Sequence, residues 1–108
     1  MNPVLLYITA ANREEAIFIA TALLQKKLVA CANILDHATS LYWWQGAVEQ
    51  AQESVITAKT FDYYTTRIIR EVKEIHSYSC PAIVTLPLNG GSPDYIHWMR
   101  EQLVPREI

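Results

Sequence analysis

The sequence predicts an α+β fold in which two helices cover one face of an antiparallel sheet. Three observations support this class. The elements follow the order strand, helix, strand, strand, helix, strand, and a last helix completes the chain. Apolar residues recur at helical spacing in the helical segments, and they alternate or run continuously in the strand segments. Residues 28–46 form a stretch, rich in β-branched and aromatic residues, that is much longer than a usual strand.

The first two elements are a buried strand and an amphipathic helix. Residues 4–9 are almost entirely apolar, which is typical of a central strand covered on both faces. Asn12 provides an N-cap and Glu15 follows three residues later, as in a capping box. The helix is predicted over residues 13–27, and its buried stripe comprises Ala16, Ile17, Ala20, Leu23 and Leu24.

The next segment is a long β-hairpin, which we call the ribbon. Its first arm covers residues 28–46 and is interrupted at Asp36 and His37. Residues 45–47 can turn the chain, and the second arm covers residues 48–60. At about 3.3 Å per residue the first arm could extend roughly 60 Å, so one small domain cannot cover it.

The remaining elements are two helices and a strand. A helix over residues 61–75 presents one apolar face, formed by Tyr64, Ile68, Val72 and Ile75. Residues 76–81 form a loop, and residues 82–88 form the fourth strand, which ends near Pro87. Ser92 caps a last helix that runs to about residue 103, with Ile96, Met99 and Leu103 as its buried stripe.

This order of elements is the split β-α-β pattern of a ferredoxin-like sandwich, and it forms a single domain over residues 1–108. In this topology the second and fourth strands lie at opposite edges of the sheet. A long, apolar edge strand pairs readily with another chain. A ring of identical subunits that pairs these edges would remove the exposed edges, so we expect the ribbon to serve assembly.

Composition excludes several classes of partner. The chain has 108 residues, 51% of them hydrophobic and 19% charged, as expected for a compact globular protein. A net charge of −2 gives no electrostatic basis for binding nucleic acid or anionic membranes. No apolar run approaches the ~20 residues that span a bilayer, and the N-terminus lacks a basic signal region, so we expect a cytoplasmic protein.

Seven blocks of residues along the chain form a recognisable pattern: Glu14-Glu15-Ala16, Leu28–Ile34 with the run Ala-Cys-Ala-Asn-Ile, Ser40–Gly46 with Tyr-Trp-Trp-Gln-Gly, Lys59-Thr60, His76 with Tyr78 and Pro81, Leu86-Pro87, and Gly90–Trp98. Through these blocks the sequence resembles the CutA divalent-cation-tolerance family over nearly its whole length. The resemblance implies a ferredoxin-like fold, a homotrimer built through sheet edges, a cytoplasmic setting, and a link to copper and other divalent ions.

This chain departs from the family pattern at several positions. Asp36-His37 stands where the family typically has Pro-Gly. Ser77 and Ser79 replace a proline and a glutamate of the family's His-Pro-Tyr-Glu loop, and Ala82 replaces a frequent acid. Several ligands that the family could use for a metal are therefore missing here.

The candidate metal ligands are Cys31, His76 and Cys80, because thiolate and imidazole groups suit copper or zinc. They lie on different edges of one sheet, so they would converge between subunits of a ring. A structural role stays open for each candidate. Cys31 and Cys80 could be small apolar residues that pack in the protein. His76 could end a helix, where its cationic form suits the helix dipole.

Aromatic residues supply a second candidate site. Trp43 and Trp44 point to opposite faces of the ribbon, so one could pack under a helix while the other contacts a neighbouring subunit. The full set of predicted subunit contacts or cleft residues is Tyr42, Trp43, Trp44, Lys59, Tyr78, Tyr95 and Trp98. A cleft between subunits, lined by aromatic rings and one cation, would hold a small anionic or aromatic ligand.

Two functions follow. The first is a homotrimer for divalent-cation tolerance, with copper or another divalent metal ion as its ligand. The sequence lacks the motifs of nucleophilic, phosphate-binding or metalloprotease sites, so we expect no catalysis. The alternative is a trimeric signalling or ligand-sensing module that resembles the PII nitrogen-signalling proteins in architecture.

Overall fold

The computed structural model describes residues 1–103. The predicted domain also includes residues 104–108, which lie outside the described part. The elements are β1 (Pro3–Ala10), α1 (Arg13–Gln25), β2 (Cys31–Trp44), β3 (Ala47–Phe61), a short 3₁₀ helix (Asp62–Tyr64), α2 (Thr65–Ile75), β4 (Ile83–Pro87) and α3 (Pro93–Leu103). The strands form one antiparallel sheet in the order β2-β3-β1-β4. The predicted α+β class and its two edge strands are confirmed.

The main core lies between the sheet and the helices α1 and α2. Alternate residues of β1 and β3 point into it, so that Leu6, Ile8 and Ile56 have no exposed surface. The helices contribute Ala16, Ile19, Ala20, Leu23, Ile68 and Val72. Burial of this apolar layer between the sheet and the two helices stabilises their packing.

The predicted buried stripe of α1 is partly wrong. Ile17 is 42% exposed and Leu24 is 39% exposed, whereas Ile19 is fully buried. Residues 16–20 are apolar on nearly every side of the helix, so periodicity alone does not fix which side faces the core.

Both ends of α1 are fixed by hydrogen bonds. The backbone N–H of Glu15 donates to the Asn12 side chain over 2.9 Å, and the Glu15 carboxylate accepts from the N–H of Ala11, also over 2.9 Å. The helix ends at Gln25, because Lys27 adopts a positive φ of 58°. The N–H groups of Lys27 and Leu28 then donate to the last turn, as in a Schellman motif. The predicted end at Lys27 is therefore two residues late.

The ribbon is formed by β2 and β3, which pair from Cys31 with Lys59 to Trp44 with Ala47. Gln45 and Gly46 make its turn with φ angles of 49° and 81°, the positive values that a two-residue hairpin requires. The predicted interruption is a β-bulge in which Asp36 and His37 stand opposite one residue. The ribbon contributes to an elongated outline of 53 × 27 × 21 Å.

The sheet face opposite α1 and α2 is only partly covered. The helix α3 crosses one end of it, where Phe61, Met99 and Leu103 form a second buried cluster. The predicted helix start at Phe61 is wrong, because this residue ends β3 and the α2 helix begins at Thr65. The rest of the face exposes large apolar side chains, namely Tyr7 (36%), Leu35 (56%), Val84 (53%) and Leu86 (48%).

Candidate functional site

The structure brings Cys31, Lys59, Tyr95 and Trp98 together, and we call this group the lysine cluster. Cys31 and Lys59 are cross-strand partners at the start of the ribbon, so their side chains share a sheet face. The first turn of α3 places Tyr95 against them, and Trp98 follows one turn later. None of these long-range contacts has a local signal in the sequence.

The contacts of the lysine cluster centre on the Cys31 sulfur. The Lys59 ammonium donates to the Cys31 Sγ atom over 3.7 Å, and the Tyr95 hydroxyl lies 3.2 Å from the same sulfur. The Lys59 Nζ atom is 5.6 Å from the centre of the Tyr95 ring, within the range of a cation–π interaction. The Tyr95 and Trp98 ring centres are 5.5 Å apart at an angle of 33°.

The charges of the cluster depend on one another. Burial opposes the charge of Lys59, but the Cys31 sulfur and the Tyr95 hydroxyl outweigh it and raise the pKa of Lys59. The hydrogen bond to Cys31, together with burial, raises the pKa of Tyr95 although the Lys59 charge acts in the other direction. At neutral pH the cluster therefore carries an ammonium group and a neutral phenol.

A second group of predicted residues lines what we call the ribbon groove, between the ribbon and the loop before β4. It is an open groove of about 850 Å³, and its walls include Tyr42, Trp43, Trp44, Tyr78 and Cys80. Glu49 and Glu53 also line it. The sequence analysis missed both carboxylates, because acidic residues on a ribbon arm look like ordinary solvent-exposed positions.

Tyr78 is held in the groove by a strong hydrogen bond. Its hydroxyl donates to the Glu53 carboxylate over 2.7 Å. Burial, followed by this hydrogen bond and the Glu53 charge, raises the pKa of Tyr78 far above its ordinary value. The bond ties the loop to the second arm of the ribbon. Within one chain Tyr78 contacts Glu53 and is separate from Tyr95 and Trp98, which belong to the lysine cluster. The predicted cleft that contains all three aromatic residues would therefore need a neighbouring subunit.

The side chain of His76 is buried, and both of its ring nitrogens have partners. Its Nδ1 atom accepts a hydrogen bond from the Tyr78 backbone N–H over 3.0 Å. The Nε2 atom, 2.8 Å from the Thr9 carbonyl oxygen, is therefore the donor. The Glu15 carboxylate lies 4.0 Å from Nδ1 and accepts from the Ser77 N–H over 2.8 Å. His76 thereby connects β1, α1 and the loop before β4.

The donor set does not fit a metal ion within one chain. Among residues 1–103, no three His, Cys, Asp or Glu side chains are clustered as metal ligands would be. Cys31 is adjacent to a cation that repels metal ions, and a metal on His76 would displace one of its hydrogen bonds. Cys80 is exposed in the ribbon groove. A metal site that uses Cys31, His76 and Cys80 from different subunits stays a prediction.

The two ribbon tryptophans lie on opposite faces, since Trp43 pairs with Val48 and Trp44 with Ala47. The prediction that a helix of the same chain covers one of them is wrong, because Trp43 is 75% exposed and Trp44 is 56% exposed. The ribbon extends past both helices, which leaves its tip uncovered. Their predicted contact with another subunit stays a prediction.

The chain is similar to proteins of known family throughout the described region. Residues 4–102 match the family model described as CutA1 divalent ion tolerance protein. The divalent-cation tolerance protein CutA of Thermus thermophilus is 41% identical over 94 residues, which cover 87% of this chain and 91% of that protein. Its counterpart in Archaeoglobus fulgidus is 41% identical over 96 residues, covering 89% of this chain and 93% of that protein. The crystal structure of the divalent ion tolerance protein CutA1 from Ehrlichia chaffeensis has a TM-score of 0.90 at 33% identity and covers 96% of this chain and 97% of its own.

Proposed function

Because the chain belongs to the CutA1 divalent ion tolerance family, we propose that it acts in copper-linked tolerance as a cytoplasmic homotrimer without catalysis of its own. The observation that carries this proposal is the family match over residues 4–102. The described residues contain no helix long and apolar enough to cross a membrane.

The exposed apolar surface of a single chain supports the trimer. The uncovered sheet face presents four large side chains, and the ribbon tip adds Leu41, Tyr42, Trp43, Trp44 and Val48 at 43–75% exposure. The edge strand β2 has free backbone groups along its outer side, as does β4 at the other edge. Pairing β2 of one subunit with β4 of the next would cover both edges in a closed ring.

Any metal site of this protein forms between subunits in our proposal. The edges that meet would bring Cys31 on β2 toward the loop of a neighbour that carries His76 and Cys80. Cu(I) and Cu(II) are the ions to test, because sulfur and imidazole ligands favour copper.

Equilibrium titration of the assembled protein with Cu(I), Cu(II) and Zn(II) tests the metal site. Cys31→Ser and Cys80→Ser leave the buried His76 intact, so each variant removes one sulfur without disturbing the core. We expect a loss of at least tenfold in Cu(I) affinity for either variant. Unchanged affinity in both variants would exclude the sulfurs as ligands, and circular dichroism serves as the folding control.

The lysine cluster favours a second candidate function, that of a trimeric ligand-sensing module with PII-like architecture. Lys59 and the stacked rings of Tyr95 and Trp98 offer one cation and two aromatic faces to a small ligand. A thermal-shift series with anionic metabolites separates the two functions, because a ligand that binds the folded state raises its apparent stability. A shift with copper alone favours metal tolerance, whereas a shift with a metabolite that Lys59→Gln abolishes favours ligand sensing.

A further inference from the structure

We propose that Cys31 undergoes thiol–disulfide exchange with small disulfides that carry carboxylate groups. The site is the lysine cluster, in which a free thiol, an ammonium group and a phenol converge. The proposal uses residues of one chain and no metal, but it requires that the trimer of the proposed function leaves the Cys31 sulfur open to solvent. A metal-free sample keeps its outcome separate from that of the copper titration.

The geometry supplies the two requirements of such an exchange. A thiolate is the attacking form of cysteine, and nearby positive charge together with hydrogen-bond donors stabilises negative charge on sulfur. The Lys59 ammonium lies 3.7 Å from the Cys31 Sγ atom and the Tyr95 hydroxyl lies 3.2 Å from it. Cys31 is partly exposed in one chain.

The charge of the cluster selects the disulfide. Lys59 provides positive charge, and no member of the cluster carries a carboxylate. A disulfide with carboxylate groups is therefore attracted, whereas one with ammonium groups is repelled. The exposed rings of Tyr95 and Trp98, at 38% and 39%, form the wall against which the incoming chain would lie.

The reaction balances without a further oxidant. After the Cys31 thiol has lost its proton to solvent, its sulfur attacks one sulfur of the disulfide. The disulfide bond breaks as the new sulfur–sulfur bond to Cys31 forms. The departing half leaves as a thiolate and takes a proton from solvent. Cys31 is oxidised and the departing sulfur is reduced.

Cys80 is exposed but is not a neutral reference thiol, because it lies in the ribbon groove with Glu49 and Glu53, whose carboxylates would favour a cationic disulfide. The reduced protein is incubated with oxidised glutathione, which is anionic, or with cystamine, which is cationic. Peptide mass spectrometry then gives the rate at each cysteine. The rate at Cys31 is compared with that of 2-mercaptoethanol, a neutral thiol free in solution. After division by the ratio for that thiol, we expect Cys31 to prefer oxidised glutathione by roughly fivefold or more, since unit charges a few ångströms apart in water interact by about 1 kcal/mol.

Variants of Lys59 assign the preference to its charge. Lys59→Gln should remove the preference of Cys31 for the anionic disulfide, whereas Lys59→Arg should keep it, and added salt should weaken it. Circular dichroism shows that each variant is folded. Three results would overturn the proposal: no mixed disulfide on Cys31, equal rates with the two disulfides, or a preference that persists in Lys59→Gln.

Discussion

The ribbon tip gives the sharpest prediction about assembly. Trp43 is 75% exposed in one chain, and we expect a second subunit to cover it. A tryptophan side chain buries about 200 Å². Three quarters of this area at about 25 cal/mol per Å² corresponds to about 4 kcal/mol. Trp43→Ala removes most of this contact, so we expect a loss of about 3 kcal/mol per subunit as an upper limit.

The assay is sedimentation equilibrium over a wide range of protein concentration. A loss of about 3 kcal/mol in each of three subunits would raise the trimer dissociation constant by about six orders of magnitude. Tyr63→Ala is the matched control, because Tyr63 is 76% exposed but lies on the short helix before α2, away from the ribbon. If both variants dissociate at the same concentration as the parent protein, Trp43 lies outside the interface and the reasoning fails.

Three further predictions concern stability, measured as the free energy of unfolding in urea at one fixed protein concentration. Burial opposes the charge of Glu15, but hydrogen bonds from Ala11 and Ser77 outweigh burial and lower the pKa of Glu15. The ionised carboxylate therefore stabilises the fold above pH 4.5, the ordinary pKa. This stabilisation is lost as pH falls through the lower pKa of the folded state. Glu15→Gln should therefore cost about 2 kcal/mol at pH 7 and progressively less as pH falls below 4.5, and a cost independent of pH would refute this. Thr60→Val should lower the free energy of unfolding by about 1–3 kcal/mol, because the buried Thr60 hydroxyl donates to the Leu28 carbonyl oxygen over 2.6 Å. An unchanged free energy of unfolding would show that another donor satisfies this carbonyl oxygen in the variant. His37→Gly should stabilise the protein by up to about 1 kcal/mol, because His37 has a φ of 61°, a left-handed conformation that is strained for a residue with a side chain. Destabilisation would mean that contacts of the His37 side chain outweigh this strain.

Much of the fold could be predicted from local chemistry. Asn12 and Glu15 mark the start of α1, and the apolar face of α2 identifies its packing against the sheet. The break at Asp36 and His37 is visible because a charged residue and a histidine interrupt a long stretch that otherwise has the composition of a strand. Here the Arg13 side chain donates to the Asp36 carboxylate over 2.8 Å, a contact that ties the bulge to α1 and that no local pattern reveals.

The site could be predicted only in part. The sequence groups Lys59, Tyr95 and Trp98 in one cleft but assigns Cys31 to a metal site with His76 and Cys80. The contact of Tyr95 with Cys31 depends on how α3 packs on the sheet, which no local pattern reveals. Tyr78 was expected near Tyr95, yet it binds Glu53 in the other group. His76 was considered as a metal ligand, although its two hydrogen bonds depend on a backbone carbonyl and a loop N–H that sequence does not locate.

The mass of the protein in solution tests the central claim that the sheet edges pair between identical chains. Light scattering coupled to size-exclusion chromatography at micromolar concentration measures it directly. We expect a single species at three times the 12.3 kDa of one chain. A stable species of 12.3 kDa would leave the edges and the ribbon tip exposed to water, and would contradict the account.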